Sequence, residues 1–508
     1  MKSHLLLAAG LLAISSSSLA QEAGPAPGPD RSMEGTAETY VARIATIDDE
    51  FGLNAVIVYN PDPRDKVMEL RNIGPLFGRT VLVKDNIETR EWPTTAGSLA
   101  LAANATGRDA PLIARMRTAG GVVLGKTNLS EWANIRDWHS TSGWSAVGGL
   151  TRNPHAMDRN ACGSSSGSGA AVAAGLAWAA IGTETDGSIT CPASINGIVG
   201  FKPTVGMVSR THVVPISSSQ DTAGPMASSV YDAALLLGAI AGNDPADSAT
   251  VDADRHTTDF TSGLANASLD GKRIGVLRKQ VGPREDVRAL FEAALDDMRR
   301  AGAEIVEIEV DEPEGMSSAE LVVLLYELRE TMDAYLSTLP VEGQPRSLAE
   351  LVAFNKAHMQ EEMRWFGQAL FEQSLETTDE VAYREARELS LRLSGEEGID
   401  RLLREFRVDV LIAPTTGPAW TTDLVLGDHW VGGTGAGSLA AISGYPHLTV
   451  PMGAVEGLPV GLSFMGSKWS DHELLKLGAA YERARSSELA RPSFENWKPA
   501  AESQLHEQ

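Results

Sequence analysis

Cysteine is nearly absent from this chain: its 508 residues include only Cys162 and Cys191. Two cysteines cannot make a disulfide framework, and these two show no metal-ligand spacing. A densely cross-linked scaffold and a cysteine-built zinc module are therefore excluded. A single disulfide and two buried free thiols both stay open at this point. Basic charge is also short, with 43 Lys and Arg against 67 Asp and Glu, a formal net charge of −24. So acidic a surface argues against nucleic acid and against anionic membranes as partners. After residue 20 no run reaches the ~20 apolar residues that a transmembrane helix needs. Internal repeats are missing, and no linker-like stretch follows Gln21–Pro29, which favours one catalytic body over two independent domains.

What is present begins with Lys2, an apolar core from Leu5 to Ile14, and Ser-Leu-Ala at 18–20. That layout predicts a secretory signal peptide over 1–20 and an exported protein, periplasmic or secreted. The segment 21–34, rich in Pro, Gly and Ala, is expected to be a flexible mature terminus, with a single body over 35–500.

Within that body the stretch Cys162–Pro192, CGSSSGSGAAVAAGLAWAAIGTETDGSITCP, organises the reading. A glycine-serine turn enters a run of small apolar residues, Ala170 to Ile181, which suits a helix buried on all sides. Upstream, LFGRTVLVKDNI is β-rich and delivers Lys84 at the end of a strand. An ammonium there is partly desolvated. Its ordinary reading is a head group that reaches solvent or pairs with Asp85. Strand and helix patterns then alternate: a helix over 109–118, a strand over 121–125, and strand–helix–strand over 273–277, 286–300 and 304–310. This order predicts a mixed α/β architecture. From about 313 to 403 charged helical spacing takes over, a helical insertion whose aromatics (Tyr326, Tyr335, Phe354, Trp365, Phe366) read mainly as core. A buried strand over 408–415, two short strands within 432–466 and a final helix over 471–484 close the chain.

In chain order, KDNI at Lys84, GKTNLSEWA at Gly125, TRNP at Thr151, GSSSGS at Gly163, GTETDGSI at Gly182 and GFKPTVG at Gly200 resemble the amidase signature family. IAPTT, LTVPMG and GLPVGLSFMG fit as well, so the resemblance runs from about Met68 to Ala484. Within the family, CGSSSGS, GTETDGSITCPA, SQDTAGPM and APTTGPAW are most similar to the bacterial peptide amidase subgroup. The resemblance implies a mixed central β-sheet covered by helices, and a Ser–cis-Ser–Lys triad. Carried over by motif, Ser188 is the nucleophile, Ser164 the bridging serine after a cis bond from Gly163, and Lys84 the base. The family's serine spacing selects Ser164 over Ser165 and Ser166. Backbone N–H groups of Thr185, Asp186, Gly187 and Ser188 would face the oxyanion. No metal or cofactor is implied, and the substrate would be the C-terminal carboxamide of a peptide, with a broad aliphatic or aryl amide hydrolase as the alternative. Three positions depart from the common family pattern: Asp186-Gly187 before the nucleophile, Ser166-Gly167 after the paired serines, and Thr190 where arginine is usual. The first two are shared with the peptide amidase subgroup; the third leaves substrate orientation open.

The chemistry is coherent in itself. A serine hydroxyl needs a base, and a lysine serves only when neutral, which burial arranges. Amide N–H groups aimed at the developing oxyanion supply the main electrostatic stabilisation. Two rivals remain. Gly163-Ser164-Ser165-Ser166-Gly167 also matches a G-x-S-x-G nucleophile elbow, with Ser165 as nucleophile and His447 or His472 as base, although no apolar strand precedes it. An inactive exported binding protein on the same scaffold is the other. A tRNA amidotransferase subunit is disfavoured by export. For a peptide groove, the glycine-rich loops 143–149 and 432–437 are candidates, bordered by Trp138, His139 and Trp430. Oligomeric state is not legible.

Overall fold

A computed structural model describes residues 33–429 and 432–499. The expected leader over 1–20 and nearly all of the terminus over 21–34 lie outside the described residues, as does Trp430. Met33 and Glu34 are not loose chain; they open a helix, Met33–Arg43.

Eleven strands form one sheet: β1 (Val56–Tyr59), β2 (Thr80–Lys84), β3 (Val122–Thr127), β4 (Ala179–Glu184), β5 (Val199–Lys202), β6 (Thr222–Ala227), β7 (Arg273–Leu277), β8 (Glu304–Ile308), β9 (Val410–Pro414), β10 (His447–Val455) and β11 (Leu458–Met465). Their spatial order is β1-β3-β2-β4-β6-β5-β10-β11-β9-β7-β8. Pairing is parallel for β3/β2/β4 and for β9/β7/β8, and antiparallel for the remaining neighbours. The mixed sheet covered by helices is the expected architecture.

The central strands are buried along their whole length because both faces are covered. Val81, Val83 and Ile181 pack with the helices over Pro111–Thr118 and Val230–Ile240. Leu82 and Ala180, one residue out of phase, pack with Ala170–Val172 of the helix α1 (Ser166–Ala173). Side chains alternate across a strand, so Lys84, two residues after Leu82, is delivered to the α1 face.

The apolar run 170–181 is not one buried helix. It ends as α1 at Ala173, turns at Gly175 (φ +67°), and continues from Ala179 as the central strand β4. A strand covered on both faces and a buried helix share the same uninterrupted apolar composition, and the left-handed glycine marks the break. The strands β10 and β11 are the longest of the sheet rather than short pieces, and a helix over Gly437–Ser443 precedes them. Residues 316–406 are largely helical. There Tyr335 and Phe366 are buried, whereas Tyr326 stacks on Tyr383 and Phe354 on His358.

Candidate active site

Lys84 ends β2, Ser188 follows shortly after the end of β4, and the loop that carries Ser164 lies against both. Lys84 is fully buried, and its Nζ donates to Ser164 Oγ at 2.7 Å, Thr183 Oγ1 at 2.8 Å and the Thr183 carbonyl at 3.2 Å. Among the described residues no carboxylate touches it. Asp85 turns away to Lys126, so the expected pairing of Lys84 with solvent or Asp85 is overturned. Burial pushes the Lys84 ammonium down to about 7, against the more distant pull of Glu184 and Asp221.

Ser164 follows the expected cis bond from Gly163. Its loop is crowded: a Cβ on Gly163 would lie 2.1 Å from Ser130 Oγ, and the Ser164 carbonyl accepts from Ser130 N–H at 3.0 Å. Only glycine fits such an approach. Ser188 is nearly buried and sits ahead of the short helix α2 (Thr190–Ile195). Its carbonyl accepts the Ser165 N–H at 3.1 Å, which ties the two serine loops together. Among the described residues the hydroxyls of Ser164 and Ser188 do not hydrogen-bond one another. Glu184 holds the start of α2: its Oε2 accepts N–H from Ile189 at 2.7 Å and Thr190 at 2.9 Å, and the Thr190 hydroxyl at 3.3 Å. A carboxylate at a helix N-terminus satisfies orphan donors.

The loop 185–188 lies between β4 and α2, and its N–H groups are not used by the bonds that hold either element. The Thr185 hydroxyl donates to Asp221 at 2.6 Å, and Asp186 accepts from Ser438 Oγ at 2.7 Å. Burial raises the Asp186 carboxyl to about 6.

A cleft of about 400 Å³ opens beside this loop and is lined by Gly163, Gly187, Thr190 and both cysteines. Gly433, Gly435 and Gly437 line it as expected, but the loop 143–149 does not. That loop forms a small hairpin of its own, leaving Ser142 as the nearby lining residue. Trp138 and His139 are exposed outside the lining. Sequence reasoning missed Asn134, Trp420 and Asp428 on the cleft wall. Asp428 accepts from Ser142 N–H and Oγ and from Trp420 Nε1, and burial raises its carboxyl. Trp420 stood in the APTTGPAW segment, the one available signal.

The elbow reading does not survive. Ser165 Oγ is buried, donating to the Thr183 carbonyl at 3.0 Å and accepting its N–H at 3.2 Å. His447 Nε2 bonds Ser463, and His472 bonds the Ser262 carbonyl, so neither serves Ser165. Cys162 and Cys191, left open by the sequence, form a disulfide with Cα atoms 6.1 Å apart. Among the described residues no cluster of His, Cys, Asp or Glu could hold a metal ion.

The family model described as Amidase matches residues 36–475. The structure is similar to the native peptide amidase of Stenotrophomonas maltophilia, with 47% identity, a TM-score of 0.85, and coverage of 91% of this chain and 95% of that one. A peptide amidase in complex with the competitive inhibitor chymostatin matches at 48% identity and TM-score 0.86, covering 91% and 96%. A probable amidase of Arabidopsis thaliana is 37% identical over 453 residues, 85% of this chain and 83% of its own length.

Proposed function

The chain belongs to the amidase signature family, and from that premise we propose that this amide-hydrolysing enzyme acts on the C-terminal carboxamide of peptides. The likeness to peptide amidase, at 48% identity over almost the whole chain, carries the choice of substrate.

In this reading Ser188 Oγ attacks the carboxamide carbon. Its proton passes through Ser164 to Lys84, whose neutral form is accessible because the amine is buried without a carboxylate contact. The hydroxyl–hydroxyl contact closes when substrate is bound, as catalytic hydrogen bonds commonly do. Backbone N–H groups of Thr185, Asp186, Gly187 and Ser188 hold the oxyanion. The C–N bond then breaks, the proton returns to the leaving nitrogen, and ammonia departs. Water attacks the acyl-enzyme by the same relay and frees the carboxylate.

Incubating a peptide with its C-terminal amide and following it by mass spectrometry tests the substrate. The expected product is the free-acid peptide with one equivalent of ammonia and no internal fragments. Internal cleavage, or turnover confined to small aryl or aliphatic amides, would remove the peptide-amide assignment. Absence of any amide turnover together with no acylation of Ser188 by a serine-reactive probe would favour the inactive binding protein.

Export belongs to the same proposal. A disulfide suits an oxidising compartment. Intact mass of the protein recovered from a bacterial periplasm should show residues 1–20 removed; a cytoplasmic product retaining them would contradict export.

A further inference from the structure

The cysteines lie on either side of the reacting serines: Cys162 is two residues before Ser164, and Cys191 three after Ser188. Their disulfide therefore closes a covalent ring that contains both hydroxyls, α1 and β4. Both residues stand on the cleft wall.

Among the described residues few other bonds join the two serine loops directly. On the inner side Ser165 N–H donates to the Ser188 carbonyl at 3.1 Å. At the far end of α2, Asn196 Nδ2 donates to the Ala161 carbonyl at 2.9 Å and to Pro192 at 2.7 Å. Each loop is otherwise fixed to its own surroundings. Cys162 N–H bonds Asn160 Oδ1 at 2.7 Å, the Cys162 carbonyl accepts Ser166 Oγ at 2.5 Å, and Cys191 N–H returns to the Gly187 carbonyl at 2.8 Å. Cys162 itself has φ +54°, a left-handed conformation that a side chain other than glycine rarely adopts. Its neighbours must hold that geometry in place, and it is the residue that hands the chain to Gly163-Ser164.

We propose that the Cys162–Cys191 disulfide is a positioning element for catalysis: it fixes the cleft-side separation of the Ser164 and Ser188 loops, so turnover depends on its oxidation state. The inference rests on the Ser188–Ser164–Lys84 reading given above. The physical reason is that a proton relay through two hydroxyls depends on their spacing, and a displacement of about 1 Å can cost on the order of a hundredfold in rate. Reduction takes two electrons and two protons from an added dithiol, converts the bridge to two thiols, and oxidises the dithiol to its own disulfide.

The experiment uses the whole protein and an amide that it turns over. Treatment with dithiothreitol, with thiols counted by a chromogenic disulfide, should lower kcat about tenfold when two thiols appear. KM should change less than twofold, and reoxidation with glutathione disulfide should restore the rate. Rates are referred to the folded fraction from far-UV circular dichroism at low temperature. The pair Cys162→Ala/Cys191→Val refills the space with apolar contact but not the covalent bond, and it should show the same kcat loss. Unchanged kcat in the folded, reduced enzyme or in this refilled pair overturns the proposal. The triad reading is tested separately by Ser188→Ala, which loses turnover whatever the redox state.

Discussion

Lys84 and Lys126 are both completely buried, on the adjacent parallel strands β2 and β3, and their surroundings differ in one respect. Lys126 Nζ meets the Asp85 carboxylate at 2.8 Å, with the Ile87 carbonyl at 2.8 Å and Thr94 Oγ1 at 2.9 Å completing its shell. Lys84 is met by two hydroxyls and a carbonyl, with no carboxylate among the described residues in contact. Burial alone therefore does not make a base. A buried ammonium with a contact carboxylate is held as an ion pair; one given only neutral acceptors has its charge disfavoured and is ready to exist as an amine. The adjacent strands β2 and β3 carry one lysine of each kind.

The largest expected effect breaks this comparison at its functional end. Ser188→Ala should abolish amide turnover, and Lys84→Met should lower kcat by roughly 10⁴-fold or more, because groups acting as a unit fail together. Lys84→Arg should not rescue, since a guanidinium cannot give up its proton in a protein. Lys126→Met should do the reverse. It leaves the buried Asp85 carboxylate without its cation, so stability should fall by about 3–5 kcal/mol in chemical denaturation. Turnover per folded molecule should stay within about tenfold. A folded Lys126→Met protein that is dead, beside an active Lys84→Met, would invert the assignment of the two lysines.

Next in size is the disulfide. Its loss releases a ring spanning a sequence separation of 29, and loop-closure entropy puts the cost at about 3–4 kcal/mol of stability. The denaturation midpoint of the Cys162→Ser/Cys191→Ser pair measures it. An unchanged midpoint would show that the bond is not formed in solution.

The pH profile sharpens the comparison further. With the Lys84 ammonium pushed down to about 7 by burial, its amine form gains as pH rises through that value, and in the proposed relay that form is the one that works. The rate constant kcat/KM should drop about tenfold per pH unit on the acid side below 7 and level off above about 8. A limb that breaks near 10 instead would mean that Lys84 keeps an ordinary ammonium.

Much of this site could be read from residues because the relevant signals are local. TDGS, CGSSSGS and KDNI each mark a loop at a strand or helix end, and the structure places Lys84, Ser164 and Ser188 together. What escaped was set by long-range packing. Asp85 lies beside Lys84 in sequence, yet its partner is Lys126, because β3 runs alongside β2. The helix-or-strand fate of 170–181 depends on whether both faces are covered, which apolar composition alone does not tell. Trp420 and Asp428 reach the cleft through a loop with no periodicity, and the disulfide follows from the approach of α2 to the serine turn.

The smallest effect expected concerns Ser165, and it separates the two serines that sequence leaves side by side. Ser165 Oγ commits its one proton to the Thr183 carbonyl and accepts the Thr183 N–H. Thr183 is in turn a contact of Lys84, so Ser165 buttresses the surroundings of that amine from behind. Ser165→Ala removes one buried hydroxyl and leaves the Thr183 amide without that acceptor, a cost of about 1–3 kcal/mol in stability. Turnover should fall less than about tenfold. Ser164→Ala removes the atom that Lys84 touches at 2.7 Å, and its turnover should fall by about three orders of magnitude or more. Steady-state kinetics on the two single variants settles the order. A dead Ser165→Ala enzyme beside a normal Ser164→Ala enzyme would move the relay one residue along the chain and return Lys84 to the class of Lys126, a buried charge with a structural task.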